Sequence, residues 1–452
     1  MRPLFFLALG MTLSACATTE TARRVAPEMT MPPMATFSRV APTPPKASNA
    51  VIARDFLDLA FTLENGNDLA VFTRFEGPVT VKVEGPASPM LDADLGRLLK
   101  RLRNEARIPI TRVSGPEETA SITVQPVPRA QIRKVAPTAA CFVRANVSSW
   151  DEYRARRNDP ATFWTNLRAR TRMAIFVPSD VSPQETRDCL HEEVAQALGP
   201  VNDLYRLSDS IFNDDNFHTV LTGYDMLILR AHYDKALQNG MTRAEVAARL
   251  PAILNRLNPR GHSSAIAGAR PASREWKAAI NTATNPRYSK GRRKASAEKA
   301  VALAALDNQS DANIAYSYYI LGRLSLASHP DKALDAFLMA GRIYQSRPDT
   351  RVQEAHVALQ VSAFQLAAGH SDIAIALIDQ NLAVVRQSEH AALLSLMLLV
   401  KAEGYENLGE KAKAASVRKE ALAWARYGYG SEEVIRERVS EILSISPRMR
   451  ES

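Results

Sequence analysis

Four polar residues in one short stretch of the chain have the types and the spacing of a catalytic or metal-binding motif. Glu192 and Gln196 are four residues apart, so on a helix they project from the same face, and Glu193 lies beside them. Gly199 predicts the end of this helix, and Asn202 follows it. These oxygen ligands suit Ca²⁺ better than Zn²⁺, which prefers imidazole and thiolate. The pattern therefore predicts either a weak metal site with Glu193 as general base, or a buried hydrogen-bonded cluster without catalysis.

The spacing of this motif resembles the zinc-binding core of the metzincin proteases. The metzincin motif has two His four residues apart on a helix with a Glu between them, then a Gly turn and a third His. This chain keeps the Glu as Glu193 and the Gly as Gly199, whereas the three His positions hold Glu192, Gln196 and Asn202. The resemblance implies a metzincin-like fold in which no His₃ zinc site can form, and we expect no bound cofactor.

Two segments further along the chain extend the resemblance. Metzincins have a Met-containing turn beneath the metal, and residues 210–213 (Ser-Ile-Phe-Asn) take its place, with Phe212 as the structural residue of the turn instead of Met. A Leu-Thr-x-x-Asp helix then follows at residues 221–225, with Tyr233 near its end. The order of these segments is that of the metzincin core.

Together with residues 56–61 and 75–78, these segments are similar to an uncharacterised family of proteobacterial lipoproteins with a domain of unknown function. The resemblance covers roughly residues 50–257. It implies an α+β fold with a mixed sheet and helices, and a place in the cell envelope. It implies no particular activity.

The first sixteen residues predict where the protein is sent. Arg2 precedes an apolar run at residues 4–13, and Leu-Ser-Ala-Cys follows at residues 13–16, as in a bacterial lipoprotein signal. Because this run is too short to span a bilayer as a helix, we predict a cleaved signal peptide at residues 1–15 and a lipidated Cys16. Ala17 favours an outer-membrane lipoprotein that faces the periplasm. The alternative is an ordinary secretory peptide with a chance Cys.

With Cys16 used by the lipid, Cys141 and Cys189 remain. Such a pair in an oxidising compartment predicts a disulfide, and closing its long loop is worth roughly 4 kcal/mol in the chain-entropy view. The alternative is a catalytic Cys189 assisted by His191. The other nearby imidazoles, His218 and His232, are single His residues that need no ligand role.

Charge and missing motifs narrow the function classes. The chain has 57 Lys and Arg against 48 Asp and Glu, which gives a net charge of +9. Behind a lipoprotein signal this excess predicts a solvated surface or attraction to anionic envelope polymers, and no aromatic residues alternate with the basic ones to predict nucleic-acid binding. There is no glycine-rich phosphate loop, serine nucleophile elbow or Cys-x-x-Cys pair, which disfavours a nucleotide enzyme or serine hydrolase.

Composition divides the rest of the chain into four parts. Residues 16–49 carry the lipidated Cys and a Pro-rich tether that is disordered or polyproline-like. Residues 50–257 form the metzincin-like domain, residues 258–293 a linker, and residues 294–447 a helical-repeat domain. Within them, periodicity predicts helices at 52–61, 91–105, 185–198 and 431–443, and strands at 79–83, 120–124 and 173–177.

A repeat of about 40 residues organises the last part of the chain. Ala333, Ala374 and Ala414 recur at this spacing, each early in the second helix of a pair, and Gly369 and Gly409 each precede their Ala by five residues. Small residues at fixed offsets allow paired helices to pack closely and stack into a solenoid. The pattern resembles degenerate tetratricopeptide repeats, and a plain helical bundle is the alternative.

The sequence as a whole predicts an envelope-anchored lipoprotein with a catalytically inert protease-like domain. We expect it to bind or scaffold an envelope protein or peptide through its cleft and its helical repeats, with the membrane as a second partner through its lipid and no nucleic acid. The alternative is a metal-dependent hydrolase that acts on envelope protein or peptidoglycan with Glu193 as general base.

Overall fold

The computed structural model describes residues 29–38, 43–115, 119–262, 271–306 and 310–447. These residues form two compact units. The first comprises residues 43–181 and 185–262, and the second comprises residues 29–38, 182–184, 271–306 and 310–447. The predicted signal peptide of residues 1–15 and the lipidated Cys16 lie outside the described residues and stay predictions. No helix in the described ranges is long and apolar enough to cross a membrane.

The first unit is an α/β domain built on a five-stranded mixed sheet. Its strands are β1 (Val79–Val83), β2 (Ile110–Arg112), β3 (Ile122–Val127), β4 (Phe142–Ala145) and β5 (Met173–Pro178). The spatial order is β2-β1-β3-β5-β4, in which β4 is an edge strand antiparallel to β5 and every other pairing is parallel. The prediction of a mixed sheet with helices is confirmed.

Strand β5 is buried on both faces of this sheet. Met173, Ile175 and Val177 point into the larger core of the unit, whereas Ala174 and Phe176 point into a smaller one. Because neither face meets water, the strand is a continuous apolar run without alternation, as is usual for buried parallel strands.

Seven α-helices accompany the sheet in the described part of the first unit. The three predicted helices are present, and no end is shifted by more than three residues. Hydroxyl caps fix several starts: Ser48 Oγ, for example, accepts from the amide of Val51. The helices are α1 (Asn49–Phe61), α2 (Pro89–Asn104), α3 (Arg129–Val135), α4 (Trp150–Arg156), α5 (Pro183–Leu198), α6 (Gly223–His232) and α7 (Arg243–Leu257).

The second unit is entirely helical in its described residues outside short connections and the segment 29–38. Consecutive helices pack on each other along the chain. They are α8 (Arg274–Thr284), α9 (Lys290–Leu306), α10 (Asp311–Ser325), α11 (Pro330–Gln345), α12 (Arg351–Ala367), α13 (Ser371–Gln387), α14 (Ala391–Asn407), α15 (Lys411–Tyr429) and α16 (Glu432–Ile445).

The predicted repeat is visible in these helices. Ala333, Ala374 and Ala414 each lie in the first turn of α11, α13 and α15, and all three are fully buried. Gly369 and Gly409 lie in the connections that precede α13 and α15, with φ of 86° and 77°, which an L side chain rarely adopts. The described chain from α10 to α15 is therefore a series of similar helix pairs.

Two segments predicted as connections contain ordered structure. The predicted linker 258–293 holds α8, whose Trp276 is buried and donates from Nε1 to Ser317 Oγ at 2.9 Å. The segment is mostly polar in composition, but α8 has one apolar face, which composition alone does not reveal. The predicted disordered tether 16–49 includes residues 29–38, in which Phe37 is buried. Both ranges therefore include residues that pack within the second unit.

Candidate functional site

Helix α5 carries the acidic residues of the predicted motif. Glu192 and Glu193 are buried, and Gln196 is partly buried. The Gln196 side-chain amide donates to Glu192 Oε1 at 3.4 Å, so the predicted pairing across one helical turn is present as a long hydrogen bond. Two of the three positions that correspond to zinc ligands therefore face each other.

The third position does not join them. The Asn202 side-chain amide donates to the backbone oxygen of Asp58 in α1 at 3.1 Å, and its Oδ1 accepts from the Asp203 amide at 2.9 Å. The chain after α5 runs back along α1, where Val201 donates to the oxygen of Leu59 at 2.9 Å. The predicted cluster of Glu192, Gln196 and Asn202 is therefore wrong for Asn202, because α1 competes for its amide.

The donor set at these positions does not fit zinc. One carboxylate and two amide side chains lack the imidazole or thiolate that zinc prefers, and the amides already make other hydrogen bonds. Across the described ranges, no three His, Cys, Asp or Glu side chains come together in a group able to hold a metal ion.

A buried arginine holds the end of α5. Arg170 is 3% exposed, and its guanidinium donates to the carbonyl oxygens of Gln196 (2.5 Å), Ala197 (2.9 Å) and Gly199 (2.6 Å). These carbonyls form the negative end of the helix dipole, so a cation is stabilised there without a carboxylate. Burial lowers the pKa of Arg170 to about 10, and it remains charged at neutral pH. Sequence reasoning missed this residue, because its partners are backbone atoms distant in the sequence.

Gly199 is needed at the turn for a different reason from the one predicted. It does not adopt a positive φ. A Cβ on Gly199 would instead lie 2.8 Å from ring atoms of His232. That ring is buried against Phe72, and its Nε2 donates to the oxygen of Thr73 at 3.1 Å, while burial lowers its pKa well below the usual value and keeps it neutral. Close approach of the α5 terminus to His232 therefore selects glycine.

The two downstream motifs meet at one carboxylate. Asp225 is fully buried and accepts from Ser210 Oγ (2.5 Å), from the Ile211 amide (3.1 Å) and from the Thr222 amide (2.7 Å). Burial raises the pKa of Asp225 to about 6, although these hydrogen bonds act in the opposite direction. The turn at residues 210–213, with Phe212 fully buried in the core, is thus fixed to the start of α6.

His191 connects α5 to the same region. Its Nδ1 accepts from the Leu221 amide at 3.1 Å, and burial lowers its pKa well below the usual value. His218 has a similar structural bond, from Nε2 to the oxygen of Ser208 at 2.9 Å, and burial lowers its pKa to about 4. The observed bonds of both rings go to the backbone.

A buried ion-pair network, which sequence reasoning also missed, joins this region to α1. Arg206 donates to Asp55 Oδ1 at 2.8 Å and to Asp58 Oδ2 at 2.5 Å, and Tyr224 donates to Asp55 Oδ2 at 3.1 Å. Arg243 reaches the other oxygen of Asp58 at 2.5 Å. The segment between α5 and α6 is therefore held against α1 by charge as well as by packing.

The predicted disulfide between Cys141 and Cys189 is confirmed, with a Cα–Cα distance of 6.0 Å. The alternative of a catalytic Cys189 with His191 is wrong, since the sulfur of Cys189 is bonded to Cys141 and His191 binds Leu221. Because Cys141 directly precedes β4, the bond attaches α5 to one of the two edge strands of the sheet.

Fold and site together define an α/β domain with a long, buried, acid-bearing helix, joined in sequence to an all-helical unit. A family model described as "Protein of unknown function (DUF2927)" matches residues 49–252. This match runs from the start of α1 into α7 and agrees with the predicted domain of unknown function. Comparison with the curated proteins and with the solved structures gives no match.

Proposed function

We propose that this chain is an envelope-anchored lipoprotein whose first unit is a catalytically inert, metzincin-like domain, and whose role is to bind or scaffold a protein or peptide partner. The main support is that the side chains at the positions of the metzincin zinc ligands make hydrogen bonds within the protein instead. Gln196 bonds Glu192, whereas Asn202 bonds the backbone of α1. Side chains committed in this way do not form an open coordination site.

The metzincin-like assignment of the first unit has support from how its motif segments meet. The resemblance singled out residues 192–202, 210–213 and 221–225 as parts of one core. His191 beside the first segment bonds Leu221 in the third, and Asp225 in the third bonds Ser210 in the second. The three segments, which are distinct in the sequence, are therefore joined by hydrogen bonds in the fold.

The competing function, a metal-dependent hydrolase with Glu193 as general base, has less support. A general base must come within hydrogen-bond reach of its substrate or of a water that attacks the substrate. Glu193 is 2% exposed, on a helix that packs into the larger core. Catalysis would require both a metal and the uncovering of this carboxylate.

The helical unit is the better candidate for the partner surface. The sheet has two edge strands: β2 has only three residues, and in β4 the side chains of Phe142, Val143 and Ala145 are buried, so neither edge favours peptide addition. Five of the six exposed large apolar side chains among the described residues lie in the helical unit. We propose tetratricopeptide-like repeats for this unit, with partner contacts that include the exposed apolar residues Leu338, Met339 and Ile373 of α11 and α13.

A crosslinking pull-down from the cell envelope tests this function. We expect wild-type protein to recover a specific partner, and a triple Leu338→Ser, Met339→Ser, Ile373→Ser variant to lose it. The matched control replaces Lys332, Asp335 and Asp372, charged residues exposed on the same helices, by Ser and should retain the partner. Recovery of no partner above background by wild type, or equal recovery by both variants, would contradict the proposal.

A further inference from the structure

Residues 32–37 have no regular secondary structure and pack against α15, and we call them the strap. The Phe37 ring stacks on Trp424 at 4.4 Å between centroids and meets the edge of Tyr427 at 6.2 Å. Phe37 is 7% exposed, so the contact removes almost the whole side chain from water. One aromatic anchor of this size is a large share of a short segment's binding energy.

Backbone hydrogen bonds hold the rest of the strap. The Ala35 amide donates to the oxygen of Ala423 at 3.0 Å, and Arg426 Nη1 donates to the oxygen of Pro32 at 2.8 Å. Both bonds come from within one helical turn of Trp424, so the strap covers a single continuous stretch of α15. Pro32 and Pro33 restrict the free segment to extended conformations and lower the entropy lost on docking.

Surfaces that recognise proline-containing peptides combine aromatic contacts with hydrogen bonds to the peptide backbone. The strap makes both kinds of contact with α15, through Phe37 and through the bonds of Ala35 and Pro32. We infer that α15 has a binding site for such a segment, that its occupant is this chain's own strap, and that docking fixes the N-terminal tether to the helical unit. The consequence for the membrane rests on the proposed lipoprotein function.

Docking of the strap reduces the number of residues between the lipidated Cys16 and the first point at which the chain is held by a folded unit. The chain from Cys16 to the start of α1 at Asn49 has about 33 residues and can reach at most about 115 Å, whereas the chain from Cys16 to Pro32 has about 16 residues and reaches at most about 55 Å. With the strap docked, α15 lies within this shorter reach of the lipid. Release of the strap would leave the tether attached to the folded chain at α1 instead, through roughly twice as many residues.

Hydrogen exchange in the full-length protein tests the strap itself, with or without lipid. We expect the Ala35 amide to be protected in wild type and to exchange at least tenfold faster in Phe37→Ala, with α12 unchanged as the measure of intact folding. Thr36→Ala, which changes an exposed neighbour, is the control: its Ala35 amide should exchange at the wild-type rate. Arg426→Gln should give a smaller acceleration. Unprotected Ala35 in wild type, or equal exchange in Phe37→Ala, would overturn the inference.

A second measurement tests the reach. Lipidated protein in anionic phospholipid vesicles carries a donor dye on Ala415→Cys, an exposed position of α15, and the vesicles carry an acceptor lipid. Energy transfer should fall in Phe37→Ala and persist in Thr36→Ala. If wild type does not bind the vesicles, the lipoprotein proposal fails while hydrogen exchange still decides the strap. If it binds and Phe37→Ala leaves the transfer unchanged, the shortened reach is refuted.

Discussion

Removal of the Arg170 guanidinium should destabilise the C-terminal end of α5 by several kcal/mol. In Arg170→Met, three carbonyls of the α5 terminus lose a charged donor, and Thr73 Oγ1 loses the bond from Nε at 3.2 Å. Hydrogen bonds to charged groups are worth about 1.5–3 kcal/mol each, but part is recovered because burying the cation is itself costly. We expect a net loss of about 3–5 kcal/mol.

The assay must resolve the two units, because a chain of this kind does not unfold in a single step. Urea-dependent hydrogen exchange, followed in peptides from α5 and separately from α12, gives a free energy for each unit. Arg170→Met should lower the free energy measured in α5 and leave that of α12 unchanged. Arg170→Lys should restore only part of the loss, since one ammonium cannot reach all three carbonyls. Arg168→Met, an exposed neighbour, is the control. A loss below about 1 kcal/mol, or one equal to that of the control, would refute the helix-end argument.

Three further predictions concern the same unit. Gly199→Ala should lower the free energy of unfolding, measured by thermal unfolding, by about 1–3 kcal/mol, because the new Cβ would clash with the His232 ring. Gly96→Ala, at a helical position with open space around it, should be neutral or stabilising. Equal effects of the two substitutions would exclude the clash as the explanation. The pKa of Asp225 is raised to about 6, so the protonated carboxyl contributes stability that is fully present below about pH 4 and is lost as the pH rises to about 6. Over this range, the free energy of unfolding of wild type relative to Asp225→Asn should fall by about 3 kcal/mol. A difference that does not change with pH would contradict the raised pKa. Cys189→Ser should lose about 2–5 kcal/mol, and non-reduced wild type should resist alkylation; rapid thiol labelling would show that the disulfide is absent.

Local sequence patterns predict the long elements of the first unit well. The alternation at 79–83 predicts β1 with its observed ends, and the apolar run at 173–177 predicts β5 to within one residue. Strands β2 and β4 have only three and four residues, too few for alternation to be distinguished from a loop. Asp225 was found because its motif is local: it forms a capping box with Thr222 in the first turn of α6.

The contacts that shape the site are the part that sequence could not predict. Arg170 binds carbonyls 26 to 29 positions away, and Arg206 binds Asp55 at a separation of 151. Residue type and spacing contain no signal for such partners, because a buried arginine and a surface arginine can have the same neighbours in the sequence. The position of Asn202 was mispredicted for this reason, because α1 is distant in sequence and adjacent in space.

Metal content tests the central claim, an inert site, most directly. Full-length protein is equilibrated with Zn²⁺ or Ca²⁺, exchanged into metal-free buffer and analysed for bound metal, beside Glu192→Ala and Glu193→Gln variants. With Gln196 bonded to Glu192 and Asn202 bonded to α1, we predict far less than one equivalent in wild type and no difference from the variants. One equivalent in wild type that disappears in Glu192→Ala would contradict the inert site and restore the hydrolase with Glu193 as its base.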